Sequence, residues 1–309
     1  MEQKACLILV IFTCLIASSC GRELKVDHKH KLPVYNHTLA TILVEYASAV
    51  YISDLTELFT WTCERCNGLT KGFEVIELVV DIENCLQVHL FVHLSEWRRI
   101  LMPLLLPLEE RRNTVKEAKE FYGDLDIMVT GHSMGGAMAS FCALDLVVNH
   151  EAESVQVITF GQPRIGNAAF ASYYAKLVPN TIRVTNDHDI VPHLPPYYYY
   201  FPQKTYHHFP REVWLYSLGL GSLVYRVEKV CDGSGEDPTC SRSVTGNSIM
   251  DHLNYYGVDL MCQEWRSCRI VMDPRVAEYG KTDREGNFIL SRAPATRVQL
   301  NEGEVKASA

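Results

Sequence analysis

The chain has 309 residues, 47% of them hydrophobic and 21% charged. That balance suits a globular protein with one large apolar core and excludes disordered, fibrous and collagen-like classes. A formal net charge of -8, with no long run of Lys and Arg, argues against a nucleic-acid partner and does not favour an anionic membrane surface.

The chain opens with Lys4, an apolar run from Ala5 to Ala17 and small residues before Gly21. This is the layout of a secretory signal peptide, expected to be cleaved near Cys20 or Gly21, so that residues 1–21 direct the rest out of the cell or into the endomembrane system (ER, vacuole). The run is shorter than the roughly 20 apolar residues needed to span a bilayer. Removing it discards Cys6, Cys14 and Cys20 of the 11 cysteines and leaves an even eight, which in an oxidising compartment suggests disulfides. Cys231 with Cys240 and Cys262 with Cys268 are close enough to staple local loops, although connectivity stays open. Cys142, within an apolar helical pattern, reads as a buried thiol. Asn36-His37-Thr38 is a glycosylation sequon, which makes Asn36 the acceptor.

Apolar residues at helical spacing from Thr38 to Phe59 predict a helix or helix pair. Phe73 to Asp81 reads as a strand, as do Asp126 to Thr130, Val155 to Phe160 and Thr181 to Thr185. Helical stretches at Gly135 to Val148 and Asn167 to Leu177 separate the last three. Strand and helix in alternation predict an α/β fold whose mostly parallel sheet is covered by helices on both faces. Beyond Pro210 come one more strand, Glu-Val-Trp-Leu-Tyr, and the acidic loop from Cys231 to Cys240, which lacks the alternating oxygen ligands of an EF-hand. The domain is expected over residues 22–280, with a polar, disordered tail over 281–309.

Chemistry concentrates at Gly131-His132-Ser133-Met134-Gly135, which follows a predicted strand and opens a predicted helix, the setting of a nucleophile elbow. There Ser133 must occupy a strained turn, and Gly131 and Gly135 are expected to leave room for strand and helix to approach. The N–H of Met134 is expected to donate to a developing oxyanion. A serine hydroxyl needs a base and an orienting carboxylate, and in this setting they follow in the order Ser, Asp or Glu, His. Asp189 lies at the end of a strand, with Asp187 as its rival, and His252 occupies a late loop. His193, His207 and His208, set among Tyr and Pro, are candidates to line the pocket.

Together, Gly-His-Ser-Met-Gly-Gly from Gly131, Thr-Phe-Gly-Gln-Pro-Arg from Thr159, Asn-Asp-His-Asp-Ile-Val-Pro from Asn186 and Asp-His-Leu-Asn-Tyr-Tyr-Gly from Asp251 resemble the class 3 (fungal-type) lipases, in particular their plant members. The resemblance spans about residues 36–81 and 117–274. It implies an α/β-hydrolase fold, a triad of Ser133, Asp189 and His252, an oxyanion contact from Met134, no cofactor and no metal. The implied substrates are lipid esters such as acylglycerols, met transiently at a membrane or lipid-droplet interface.

Between the first strand and the elbow, that family carries an Arg-Gly-Thr or Arg-Gly-Ser strand end that supplies a second oxyanion donor, followed by a lid helix. This chain has no Arg-Gly dipeptide and no His-Gly-Gly loop. Residues 83–112 form instead an apolar stretch broken by Pro103 and Pro107. The expectation is a fold missing one or more central strands. The alternative to an active esterase is a catalytically impaired, lipase-like binding protein, or a splice or gene-model variant of an active lipase. Cys63 and Cys66 with His89 and His93 mimic a zinc finger, but the spacer of 22 residues exceeds the usual 12–15 or so, and a disulfide is the better reading.

Overall fold

The computed structural model describes residues 34–81, 86–93, 99–102, 126–150, 152, 154–197, 205–220, 223–260, 271, 273–274, 280–283 and 286–291. The signal-peptide reading and the Cys262–Cys268 pairing lie outside these residues.

Ten strands form one sheet: β1 Phe73–Asp81, β2 Leu86–His93, β3 Arg99–Met102, β4 Asp126–His132, β5 Val155–Phe160, β6 Thr181–Asn186, β7 Glu212–Leu220, β8 Leu223–Val230, β9 Gly280–Thr282 and β10 Phe288–Ser291. Their order across the sheet is β8-β7-β6-β5-β4-β3-β2-β1-β10-β9. The central strands β3, β4, β5, β6 and β7 run parallel, as the alternation of strand and helix predicts. Both flanks are antiparallel, and on one of them β7 turns back into β8 as a hairpin.

Two expectations are corrected here. No gap opens beside the elbow strand, because β2 and β3 bridge β1 to β4 within the segment expected to lack strands. An apolar run without clear alternation does not separate strand from buried helix by periodicity, and this one holds two short strands. Nor is the chain after Lys281 all tail: β9 pairs with β10, and β10 extends the sheet beyond β1.

Helices cover both faces. Helix α1 (His37–Ala49) starts where the Asn36 side chain accepts from the Leu39 N–H at 3.0 Å, and α2 (Leu55–Phe59) where Asp54 does the same for Thr56 and Glu57. Leu43, Val44 and Ala47 of α1 pack on Met128, Ile158, Phe160, Ile182 and Val184. Alternate residues of the same strands, Ile127, Val129, Val155 and Val157, face the opposite way. They bury against Ala139, Ala143 and Leu146 of α3 (Met134–Asn149) and Ala171 and Tyr174 of α4 (Ala168–Leu177). Cys142 is buried in that second layer, as its helical setting implies. Disulfides join Cys63 to Cys66 and Cys231 to Cys240. The second closes the loop that delivers Glu236 to Arg164, whose Nε and second terminal nitrogen donate to it at 2.7 and 2.9 Å. Among the described residues, no helix is long and apolar enough to cross a membrane.

Candidate active site

Parallel strands bring their carboxyl ends to one edge of the sheet, and the candidate residues collect there. Ser133 connects β4 to α3 with φ of 57° and ψ of -128°, a strained backbone for a residue with a side chain. The Ser133 N–H donates to the Phe160 carbonyl at 2.9 Å, which fastens the turn to β5. A Cβ on Gly131 would collide with the Gly135 carbonyl, so the expected close approach is real at that position. At Gly135 it is not: a Cβ there would meet nothing within 4 Å. The tight packing falls instead on Gly136, whose Cβ would stand 3.1 Å from Gln162 Cβ. As the first residue of α3, Met134 carries one of the helix N–H groups that have no intrahelical acceptor.

His252 Nε2 lies 2.8 Å from Ser133 Oγ, and His252 Nδ1 lies 2.9 Å from Asp189 Oδ2. Ser133 is half-buried, whereas Asp189 and His252 are only 2% and 4% exposed. Because a carboxylate can only accept, Nδ1 carries the proton and Nε2 is left to accept from the serine hydroxyl. Asp189 is itself held: Oδ1 accepts from the Val191 N–H at 2.8 Å, and Oδ2 also accepts from the Tyr255 hydroxyl at 2.5 Å. Burial first, and then the neighbouring Asp189, push the Tyr255 hydroxyl well above its ordinary pKa, so it remains a donor.

Asp187 has a different task. Its carboxylate accepts from the Ser217 N–H at 2.9 Å and from Arg226 at 2.6 Å, a cross-strand pair in the middle of the β7–β8 hairpin. The three other histidines are bound to backbone carbonyls: His193 to Asp189, His207 to its neighbour His208, and His208 to Pro192.

The residues that motif reasoning misses lie beside His252 and Asp189. His132 is buried with its ring 4.4 Å from that of His252. Its Nε2 donates to the His252 carbonyl at 2.7 Å, and its Nδ1 accepts from the Tyr51 hydroxyl at 2.7 Å. Burial, followed by the proximity of His252, pushes its pKa down to about 3, so this imidazole is neutral. Tyr255 stands three residues after His252, and that nearness is the one sequence signal for it. Tyr51, 81 positions from His132, leaves no local signal.

Residues 50–199 match the model of the family described as lipase (class 3). A lipase of Rhizomucor miehei is 36% identical over 150 residues, 47% of this chain and 39% of that protein. The secreted mono- and diacylglycerol lipase 1 of Fusarium solani is 31% identical over 179 residues, 55% of this chain and 51% of that one. The chain thus spans about half, or less, of the length of these relatives. Among solved structures, the Rhizomucor miehei lipase propeptide complex superposes with a TM-score of 0.58 at 24% identity, covering 74% of this chain and 83% of that chain. A triacylglycerol lipase described by its serine protease triad gives 0.58 at 24% identity, covering 72% and 94%. These likenesses show the α/β-hydrolase fold, and it is residues 50–199, just under half of the chain, that match the class 3 lipase family.

Proposed function

We propose that this chain hydrolyses carboxylic esters of lipids, acylglycerols among them, through an acyl-enzyme intermediate. Ser133 is the nucleophile, His252 the general base, Asp189 the acid that orients it, and the Met134 N–H an oxyanion donor. The observation that carries this reading is one imidazole spanning two partners, 2.8 Å from Ser133 Oγ and 2.9 Å from Asp189 Oδ2.

As Ser133 Oγ bonds to the ester carbon, its proton passes to His252 Nε2 and the carbonyl electron pair moves onto oxygen. That oxygen accepts from the Met134 N–H, where the positive end of the α3 dipole also acts. The intermediate collapses, the C–O bond to the alcohol breaks, and the departing oxygen takes the proton from Nε2. Water then repeats the sequence on the acyl-serine and releases the carboxylic acid. The Asp189 carboxylate, 2.9 Å from Nδ1, balances the transient imidazolium.

An apolar substrate is supported by the side chains beside these residues: Met134, Ile249 and Met250 are 62%, 54% and 69% exposed. The relatives named as lipases support the same class. Secretion is supported by the leader composition and by the name of the Fusarium relative. Asn36 fits a glycan, since it is exposed and its cap uses only Oδ1, leaving Nδ2 for the sugar.

The test is a fluorophosphonate probe, which reacts with activated serines. We expect labelling of the purified chain and none of Ser133→Ala at an unchanged melting temperature. An unlabelled but folded wild type would reject the hydrolase in favour of a silent, lipase-like binding protein.

A further inference from the structure

We infer that Asn186 is a positioning residue, a buried strut that keeps the acid and the base of the Ser133, His252 and Asp189 array in register. The inference rests on reading that array as catalytic.

Asn186 is the last residue of β6 and is 2% exposed. Its backbone carbonyl accepts the Asp189 N–H at 2.9 Å, which starts the turn carrying the acid. Its side-chain Nδ2 donates to the Asp251 carbonyl at 3.0 Å and to the Asn254 carbonyl at 2.7 Å. Those two carbonyls flank His252, one residue before it and two after. A single residue therefore grips the acid loop with its main chain and the base loop with its side chain.

The grip needs this particular chemistry. His252 ends a helix of four residues, Ile249–His252, too short to satisfy its own carbonyls, and Asn186 supplies the missing donor to Asp251. Two convergent carbonyls call for a group with two N–H bonds on one atom, which a carboxamide has and a carboxylate of the same shape lacks. The amide orientation follows as well, because the reverse placement would bring Oδ1 against two carbonyl oxygens. Asn186 Oδ1 is buried and finds no hydrogen-bond donor among the described residues, so the side chain is held through its nitrogen alone.

Other bonds keep the base loop in place without the strut: the His132 ring donates to the His252 carbonyl at 2.7 Å, and the His188 N–H to the Asp251 carboxylate at 3.1 Å. Loss of Asn186 should thus loosen the His252 ring while the domain stays folded. A misplacement on the order of 1 Å at a reacting group costs about 10²-fold in rate.

Asn186→Ala and the isosteric Asn186→Asp are each compared with wild type and Ser133→Ala. Turnover of p-nitrophenyl butyrate is one readout, and the downfield proton resonance of the His252 Nδ1–H bond to Asp189 is the other. We expect kcat to fall about 10²-fold in both Asn186 variants with KM within about two-fold, because the ester site is untouched. The resonance should be sharp in wild type and Ser133→Ala, and broadened or lost in both Asn186 variants. Should Asn186→Ala fail to fold, Asn186→Asp keeps the volume and carries the test. The resonance needs no turnover, so an inactive wild type with a sharp signal lost in the Asn186 variants would reject the hydrolase reading and keep the strut. Unchanged kcat and an unchanged resonance in a folded Asn186 variant would overturn it.

Discussion

Gly161 lies against His252: a methyl group on its α-carbon would stand 2.8 Å from Nδ1 and 2.9 Å from Asp189 Oδ2. Its φ of +59° further disfavours any side chain. Both neighbours are buried and bonded to each other, so neither can yield cheaply. Gly161→Ala is expected to lower kcat for a p-nitrophenyl ester about 10²-fold through displacement of the His252 ring. A rate within about two-fold of wild type would mean that the backbone at Gly161 shifts without disturbing the pair.

Tyr255 donates to the same carboxylate oxygen that accepts from His252. Tyr255→Phe removes the donor and keeps the ring in place against Phe160, 5.8 Å away between centroids. A hydrogen bond to a charged acceptor contributes about 1.5–3 kcal/mol, so the unfolding free energy should fall by about that much. Urea titration of wild type and variant at neutral pH measures it. A change below about 0.5 kcal/mol would show that another donor replaces the hydroxyl.

His132 makes stability depend on acid. Its pKa falls from 6.5 to about 3 on folding, so below pH 6.5 the unfolded chain binds a proton that the folded chain refuses. Its neutral form is therefore fully favourable above that pH, and stability is lost as pH falls through the window from 6.5 to about 3. The slope reaches at most about 1.4 kcal/mol per pH unit for one such group. His208, also buried and pushed well below its ordinary value, acts in the same direction. Unfolding free energies at several pH values should show a shallower acid slope in His132→Asn than in wild type, and parallel slopes would contradict this account.

The chain has no Arg-Gly dipeptide, and the second oxyanion donor that accompanies it in the family is not legible in the sequence. One oxyanion donor contributes about 10²- to 10³-fold in turnover. An activated ester tolerates the loss better than an unactivated one, because its leaving group departs without protonation. We therefore expect weak hydrolysis of p-nitrophenyl butyrate and almost none of triolein. A version of the chain with a family-like Arg-Gly-Thr strand and lid in place of residues 83–112 should gain on triolein. Equal triolein rates for both would locate a donor in the existing segment.

By itself, the sequence determined whatever depends on local pattern. The elbow at Ser133 is legible because Gly131-His132-Ser133-Met134-Gly135 falls between a strand pattern and a helical one, whereas the close packing at Gly136 rather than Gly135 belongs to the tertiary structure. Strands β1, β4, β5 and β6 were legible as well, through short β-branched runs set off by helical stretches or turns. Tertiary structure decided matters that depend on partners far along the chain. Asp187 and Asp189 differ little in local setting. The choice between them follows from Ser217 and Arg226, which take the first, and from His252 and Tyr255, which take the second. The same holds for Asn186 and His132, whose partners Asp251 and Tyr51 lie 65 and 81 positions away. Strands β2, β3 and β10 escape a sequence reading because their pairing is set by neighbours in the sheet, and a hydrogen bond between strands leaves no periodic mark in either one.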